Sequence, residues 1–313
     1  MDIKKIAENY IPLISFIVFL SILSYLFFLR PPIILVSDVY VHEIYGEHEE
    51  RMRNFASSFS VFRQIKVIRV PEDVDSYSMA EIIQRNNASP FCVFFPFRYQ
   101  EIAEIYRDEI TQNGNKTTKI FVMANKEKVP SHAERIIYTV SDAERDYYRA
   151  GYCAAILSRD EGALNNAQRN SERYIAFIYD RDINDRGKSA FEDGLLAGGF
   201  SGKSRFSFNQ ESLRPNDLAC VVVDGPADLF FQSPTDVPVI LFTWLENEDY
   251  FPNNIKIRID DSPYTLICRT LKLPKKSLID GAVLKIPADF HILKKTLDNK
   301  KLINELSARR VIG

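Results

Sequence analysis

None of the motifs CxxC, HExxH, GxxxxGK[ST], GxSxG or GxGxxG occurs in the 313 residues, so the usual motif routes to an enzyme are closed. Cysteine is scarce. Cys92, Cys153, Cys220 and Cys268 are far apart and each sits among apolar neighbours, as buried free thiols do, not as a metal cluster does. His42, His48, His132 and His291 lack metal-ligand spacing, and no nucleophile has a convincing base beside it. These absences predict no catalytic residues, no metal and no cofactor. Charge of one sign is also missing: the formal net charge is −2, which gives no reason to expect a nucleic-acid partner. No repeat of solenoid period is visible. Hydrophobic residues at 46% and charged residues at 26% are an ordinary globular composition, and the length suffices for one large or two modest domains.

One uncharged run is present. Residues 11–29, IPLISFIVFLSILSYLFFL, are just long enough to cross a bilayer core as a helix at ~1.5 Å per residue. A cleaved signal peptide needs small residues at the cleavage site, whereas this run ends in Phe27, Phe28, Leu29, Arg30, Pro31 and Pro32. An uncleaved membrane anchor is therefore expected, with a cleaved signal or a buried helix as alternatives. Lys4 and Lys5 precede the run and only Arg30 follows it before Arg51, so the positive-inside rule puts residues 1–10 in the cytoplasm and the body outside. A single-pass protein of the bacterial inner membrane, its body facing the periplasm, is the expected location.

Beyond the anchor, apolar β-rich runs alternate with helical spacing. Strands are expected at Ile33–Ser37, Ile65–Val70, Phe91–Phe95, Lys119–Met123 and Arg135–Val140, with helices over Gly46–Phe62, Ser78–Arg85 and Tyr99–Asn113. A second series follows: strands at Tyr174–Tyr179, Arg205–Phe208, Leu218–Asp224 and Val237–Thr243, with helices at 187–199 and near 226–232. Residues 254–313 read as strand, helix, strand and a charged helix from Leu297 to Arg309. Such alternation predicts an α/β fold of doubly wound parallel sheets, and two series predict two lobes. The expected division is lobe 1 over 31–158, lobe 2 over 159–253, and a return to lobe 1 over 254–313.

Two segments stand out. In residues 141–156, Tyr148, Gly151, Tyr152 and Ala155 share a helix face, while Asp142, Glu144, Arg145 and Asp146 gather at the first turn, where acids suit the helix dipole. The small residues would let that helix lie close against a sheet. In residues 173–199, Asn184 or Asp185 can cap a helix. Ala190, Gly194 and Gly198 form a small-residue ridge beside Phe191 and Leu195, which suggests close packing or flexibility near a ligand cleft.

These segments resemble the centre of the basic membrane protein family of bacterial solute-binding proteins, which bind purine nucleosides and have the type I periplasmic-binding-protein fold. The residues that carry the likeness are Tyr148 to Tyr152 and Ala154, matching the family's "YLAGY-A" helix. Phe191 to Leu195, Ala197 and Gly198 match its "F-x-x-G-F-x-A-G" segment. The likeness covers roughly residues 136–200, and more loosely 255–287. It implies two lobes that close on a small polar ligand by hinge motion, for uptake through a transporter permease or for sensing. The chain departs from the family where Ser37 to His42 replace a glycine, aspartate and Phe-Asn signature, where Asp224-Gly225-Pro226 replaces a glycine-rich stretch, and where an anchor replaces the lipobox cysteine.

Open parallel sheets bind ligands outside the carboxyl ends of their strands. That rule selects Asp38, Tyr40, Phe97, Arg98, Asn125, Asp180, Arg181, Asp182, Asp224 and Trp244 as candidate ligand-binding residues. The charges at Asp180 to Asp182 directly follow a buried strand, and Trp244, the only tryptophan, could stack on a flat ring. The expected function is that of a membrane-anchored solute-binding-like protein for a small polar, nucleoside-like ligand. The alternative is a ligand-free structural or interaction protein that keeps the fold and meets an envelope partner.

Overall fold

A computed structural model of the chain describes residues 3–37, 47–71, 74–86, 89–114, 117–124, 136–162, 173–179, 183–207, 217–224, 237–242, 254–293 and 304. The chain forms two units, one of residues 1–139 and 270–284, the other of residues 140–269 and 285–313. It therefore passes between them at 139/140, 269/270 and 284/285, where the composition had suggested breaks at 158/159 and 253/254.

In the first unit, β1 (Ile33–Ser37), β2 (Ile65–Arg69), β3 (Cys92–Pro96), β4 (Lys119–Ala124) and β5 (Ile137–Ser141) lie in the order β2-β1-β3-β4-β5, with β11 (Val283–Ile286) beside β5. β1 pairs in parallel with both β2 and β3. In the second unit, β6 (Tyr174–Tyr179), β7 (Lys203–Ser207), β8 (Leu218–Asp224), β9 (Val239–Phe242) and β10 (Ile255–Asp260) repeat that order as β7-β6-β8-β9-β10. An antiparallel strand, β12 (Asp289–Ile292), closes the edge beside β10. The expected α/β class with two parallel sheets is what the structure has. β12 was not expected: its DFHI run is short and too polar to read as a strand alone, and pairing with β10 defines it.

The helices are α1 (Ile3–Leu29), α2 (Glu47–Val61), α3 (Ser76–Asn86), α4 (Gln100–Gln112), α5 (Ala143–Gly162), α6 (Asp185–Ala197) and α7 (Pro263–Lys272). Among the described residues no helix is long and apolar enough to cross a membrane. The side chains of α1 are described from Leu13 onward. The helices expected near 226–232 and over 297–309 lie outside the described residues.

Strand alternation sorts each core. In β6, Ile175, Phe177 and Tyr179 face α5 and α6, while Tyr174, Ala176 and Ile178 belong to the opposite face. All four cysteines are buried and free, as expected. Burial pushes the Cys92 and Cys153 thiols up, which keeps them protonated and inert.

The small residues of α5 and α6 pack helix on helix. A Cβ on Gly151 would collide with the Phe191 carbonyl oxygen, and one on Gly194 with that of Tyr148. A Cβ on Gly198 would meet the Ala155 methyl, and the Tyr152 carbonyl oxygen at 2.9 Å. The expected partner was a sheet. The actual partner is the other helix, and its close approach explains the glycines.

Candidate functional site

In a sheet ordered 2-1-3-4-5, successive connections run in opposite directions from the first strand, and this reversal opens a crevice at the strands' carboxyl ends. In the second unit the reversal lies between β6 and β8. The last residues of these strands, Tyr179 and Asp224, are register partners, and Phe242 at the end of β9 pairs with Asp224 on its other side. All three are buried. Asp224 is thus a carboxylate held at the reversal between two aromatic residues.

Tyr147 from α5 reaches this point. Its Oη donates a 2.7 Å hydrogen bond to Asp224 Oδ2, and its ring meets Phe177 and Phe242 edge-on at 5.4 and 5.6 Å between centroids. A Cβ on Gly187 would stand 2.9 Å from the Ile183 side chain and 3.0 Å from that ring, so any larger residue there would push on both. The Asn184 side chain caps α6 by accepting from the Gly187 N–H at 2.8 Å, as one of the two expected caps. The result is a positioned carboxylate, a phenol and a capped helix N-terminus at one end of one sheet. A carboxylate only accepts hydrogen bonds, so the group matches hydroxyl or N–H donors on a ligand.

Sequence reasoning found Asp224 and missed Tyr147. It placed Tyr148 on the buried face, but the Tyr148 ring is exposed and the adjacent ring turns inward. The tyrosine doublet was the available signal, and only helix rotation decides between its members. In the first unit the reversal lies between β1 and β3, and Phe97 and Arg98 follow β3 directly. Phe97 packs half-buried against the core, whereas Arg98 is exposed and lies over the Tyr99 ring at 4.8 Å. Asp38, Tyr40, Asn125, Asp180, Arg181, Asp182 and Trp244 lie outside the described residues.

The carboxylate that ends β10 is structural. Asp260 accepts from the Ser262 N–H at 3.0 Å, and Ser262 accepts from Thr265 N–H at 3.2 Å, capping α7 with Pro263 in its first turn. A cavity of about 10 Å³ lined by Ser141, Asp261, Thr265 and Ala288 is water-sized and far below the ~300 Å³ of small-molecule sites.

Asp146 lies in the first turn of α5, as expected, and is buried there with Arg149. Arg149 Nη1 lies 3.3 Å from Asp146 Oδ1 and donates to the Ala288 carbonyl at 3.0 Å, while Asp146 Oδ2 accepts from the Ala288 N–H at 2.9 Å. Both backbone groups of one residue are thereby satisfied by a buried ion pair, and the guanidinium stacks 3.9 Å above Phe290. Burial outweighs the Ala288 hydrogen bond and the Arg149 charge and pushes the Asp146 carboxyl up to about 6. The pair fixes α5, and so Tyr147, against the returning segment.

No family model and no curated protein matches the chain. Solved structures do. A transcriptional activator of the comK gene from Bacillus halodurans has a TM-score of 0.57 at 10% identity, covering 89% of this chain and 95% of that one. An ABC transporter system solute-binding protein from Conexibacter woesei has a TM-score of 0.55 at 11% identity, covering 90% and 94%. The fold is type I periplasmic-binding-protein-like. A periplasmic solute-binding protein from Actinobacillus succinogenes with bound D-allose agrees at a TM-score of 0.50 and 12% identity, covering 85% and 99%. Identities this low speak for the fold alone, and the fold carries both solute-binding proteins and a regulator.

Proposed function

We propose that this chain is a membrane-anchored, extracytoplasmic solute-binding-like protein that takes a small, polar, hydroxyl-bearing ligand such as a sugar or nucleoside. Binding without turnover is the proposed chemistry. The observation that carries the reading is Asp224 at the strand-order reversal, braced by Tyr147 on a binding-protein-like fold. Solved structures with this fold include solute-binding proteins, one of them with D-allose, which supports a hydroxyl-rich ligand class. The nucleoside-type subfamily rests on the sequence resemblance alone.

The anchor rests on α1. From Leu13 to Leu29 it exposes twelve large hydrophobic side chains spread around the helix, with no charge among them. A helix apolar on every side belongs in an apolar medium. The uncharged run 11–29 within α1 is ~29 Å long at ~1.5 Å per residue, close to the ~30 Å thickness of a bilayer core. The two lysines before the run orient the body to the periplasmic side of the inner membrane, where a transporter permease or an envelope protein is the proposed partner.

The test is a thermal-shift series on the full chain in detergent with sugars, nucleosides, nucleobases and amino acids. A ligand at a hundred times its dissociation constant stabilises the fold by ~2.7 kcal/mol. A dose-dependent rise with one class, reduced by Asp224→Asn, is the expected result. A flat response from a folded sample overturns it in favour of the ligand-free interaction protein, a reading that the aromatic packing of Tyr179 and Phe242 around Asp224 also favours.

A further inference from the structure

Helix α2 is built inside out. Its inward face carries Glu50, Arg53 and Ser58, which are 5%, 4% and 7% exposed. Its outward face carries Met52, Phe55 and Phe59, which are 52%, 61% and 54% exposed. The three lie at i, i+3 and i+7, so they form one stripe along two turns. Two of these inward groups are tied into the unit: Glu50 pairs with Arg69 at 3.2 Å, and the Ser58 hydroxyl accepts from the Ile65 N–H at 3.0 Å and donates to Asn54 at 3.1 Å. The reversal is therefore built into the packing of this unit. Helices in water place such residues the other way round.

The stripe is continuous with α1. Phe59 stacks on Phe27 at 5.5 Å with the rings 20° apart, Phe62 meets Phe27 edge-on at 5.7 Å, and Phe55 contacts Phe59 at 4.7 Å. Cations ring the junction. Arg30 lies over Phe62 at 4.7 Å, and Arg63 lies over Phe91 at 3.9 Å while donating to the Pro31 carbonyl at 2.9 Å. Aromatic rings beside arginines, at the end of an apolar helix, are the composition of a membrane interface, where rings sit at headgroup depth and guanidinium groups meet phosphates.

We infer that the Met52–Phe55–Phe59 face of α2 lies on the lipid bilayer beside the point where α1 enters it. The inference rests on the anchor proposed above and extends it: the first unit is held flat on the membrane by a second, interfacial helix and does not hang from α1 as from a tether. The occupant of the face is lipid, because the apolar stripe continues onto the apolar surface of α1 and the charges at their junction, Arg30 and Arg63, are cations that suit anionic headgroups.

The test uses the full chain reconstituted in vesicles containing one-third anionic lipid, with a nitroxide on Phe55→Cys and, as a water-exposed reference, on Leu196→Cys of α6. The native cysteines are buried and do not compete for label. Collision rates with oxygen, which concentrates in lipid, and with a water-soluble nickel chelate are measured at both sites. The expected result is a severalfold higher oxygen-to-nickel ratio at position 55 than at 196. A ratio at 55 equal to that at 196, in protein that floats with the vesicles, overturns the inference and leaves the anchor standing. Protection of 55 from both reagents also overturns it, by showing protein on that face. Failure to float with the vesicles removes the anchor and the inference together.

Discussion

Helices α2 and α6 hold the same place in their units, each between the first strand and the edge strand of a sheet ordered 2-1-3-4-5. They are packed with opposite polarity. α6 buries Gly187, Phe191, Gly194 and Leu195 and presents Asp185 and Arg186 outward. α2 buries a glutamate, an arginine and a serine and presents its two phenylalanines and a methionine. One topology thus accommodates two kinds of helix, and the side that must be apolar follows from the medium beyond it. For α6 that medium is α5 and the sheet. For α2 it is proposed to be lipid.

The sharpest way to separate the two helices is to cut a ring from each. Phe191→Ala on α6 removes a fully buried side chain packed on Phe177, at 4.9 Å between centroids, and is expected to cost about 3–5 kcal/mol in denaturant unfolding. A loss below 1 kcal/mol would mean that the α5–α6 core is not the centre of its unit.

A second prediction concerns how α5 is held. The folded Asp146 carboxyl titrates at about 6, above its usual 3.8, because burial disfavours its charged form. Between those values the folded state binds more protons than the unfolded one, so stability falls as pH rises from 4 to 6 and the penalty is complete above 6. Its size is roughly 3 kcal/mol, since each pH unit separating the folded and unfolded values is worth ~1.4 kcal/mol. Unfolding curves for the wild type and Asp146→Asn at pH 4, 5, 6 and 7 should differ in slope over that window. Parallel curves would show that Asp146 is not buried as described.

Tyr147→Phe tests the candidate site with a smaller change. It removes one hydroxyl and leaves a buried carboxylate short of a donor, for an expected loss of about 1–3 kcal/mol and weaker binding of any ligand that stabilises the wild type. A neutral result would place the Tyr147–Asp224 contact in solvent.

The smallest expected effect is on α2. Phe55→Ser should change the unfolding free energy of the detergent-solubilised protein by less than about 0.5 kcal/mol, since that ring is already outside the fold. A larger loss would mean that the stripe is covered by protein, and the contrast with α6 would vanish.

Eleven of the twelve described strands were expected from the sequence, most plainly where parallel strands buried on both faces leave an uninterrupted signal: IILVS, CVFFP and LACVVVD need no context. Asp224 was legible for the same reason, being the polar residue that ends such a run. Tyr147, the depth of Asp146 and the inverted face of α2 were not. In DAERDYYRAG either tyrosine could face inward, and an aspartate in the first turn is satisfied equally well by water and by the helix dipole.

What the chain itself determines is periodicity: which runs are strands, which are helices, and that two similar series follow one another. Hydrophobic spacing is a local property, and local sequence carries it. Tertiary structure alone decides what each helix faces. Glu50 is buried because Arg69 of the edge strand lies beside it, Gly194 is a glycine because the Tyr148 carbonyl approaches it, and Asp146 is inside because Ala288 returns from 142 residues away. Each of these contacts joins residues distant in sequence, so no window along the chain contains both partners.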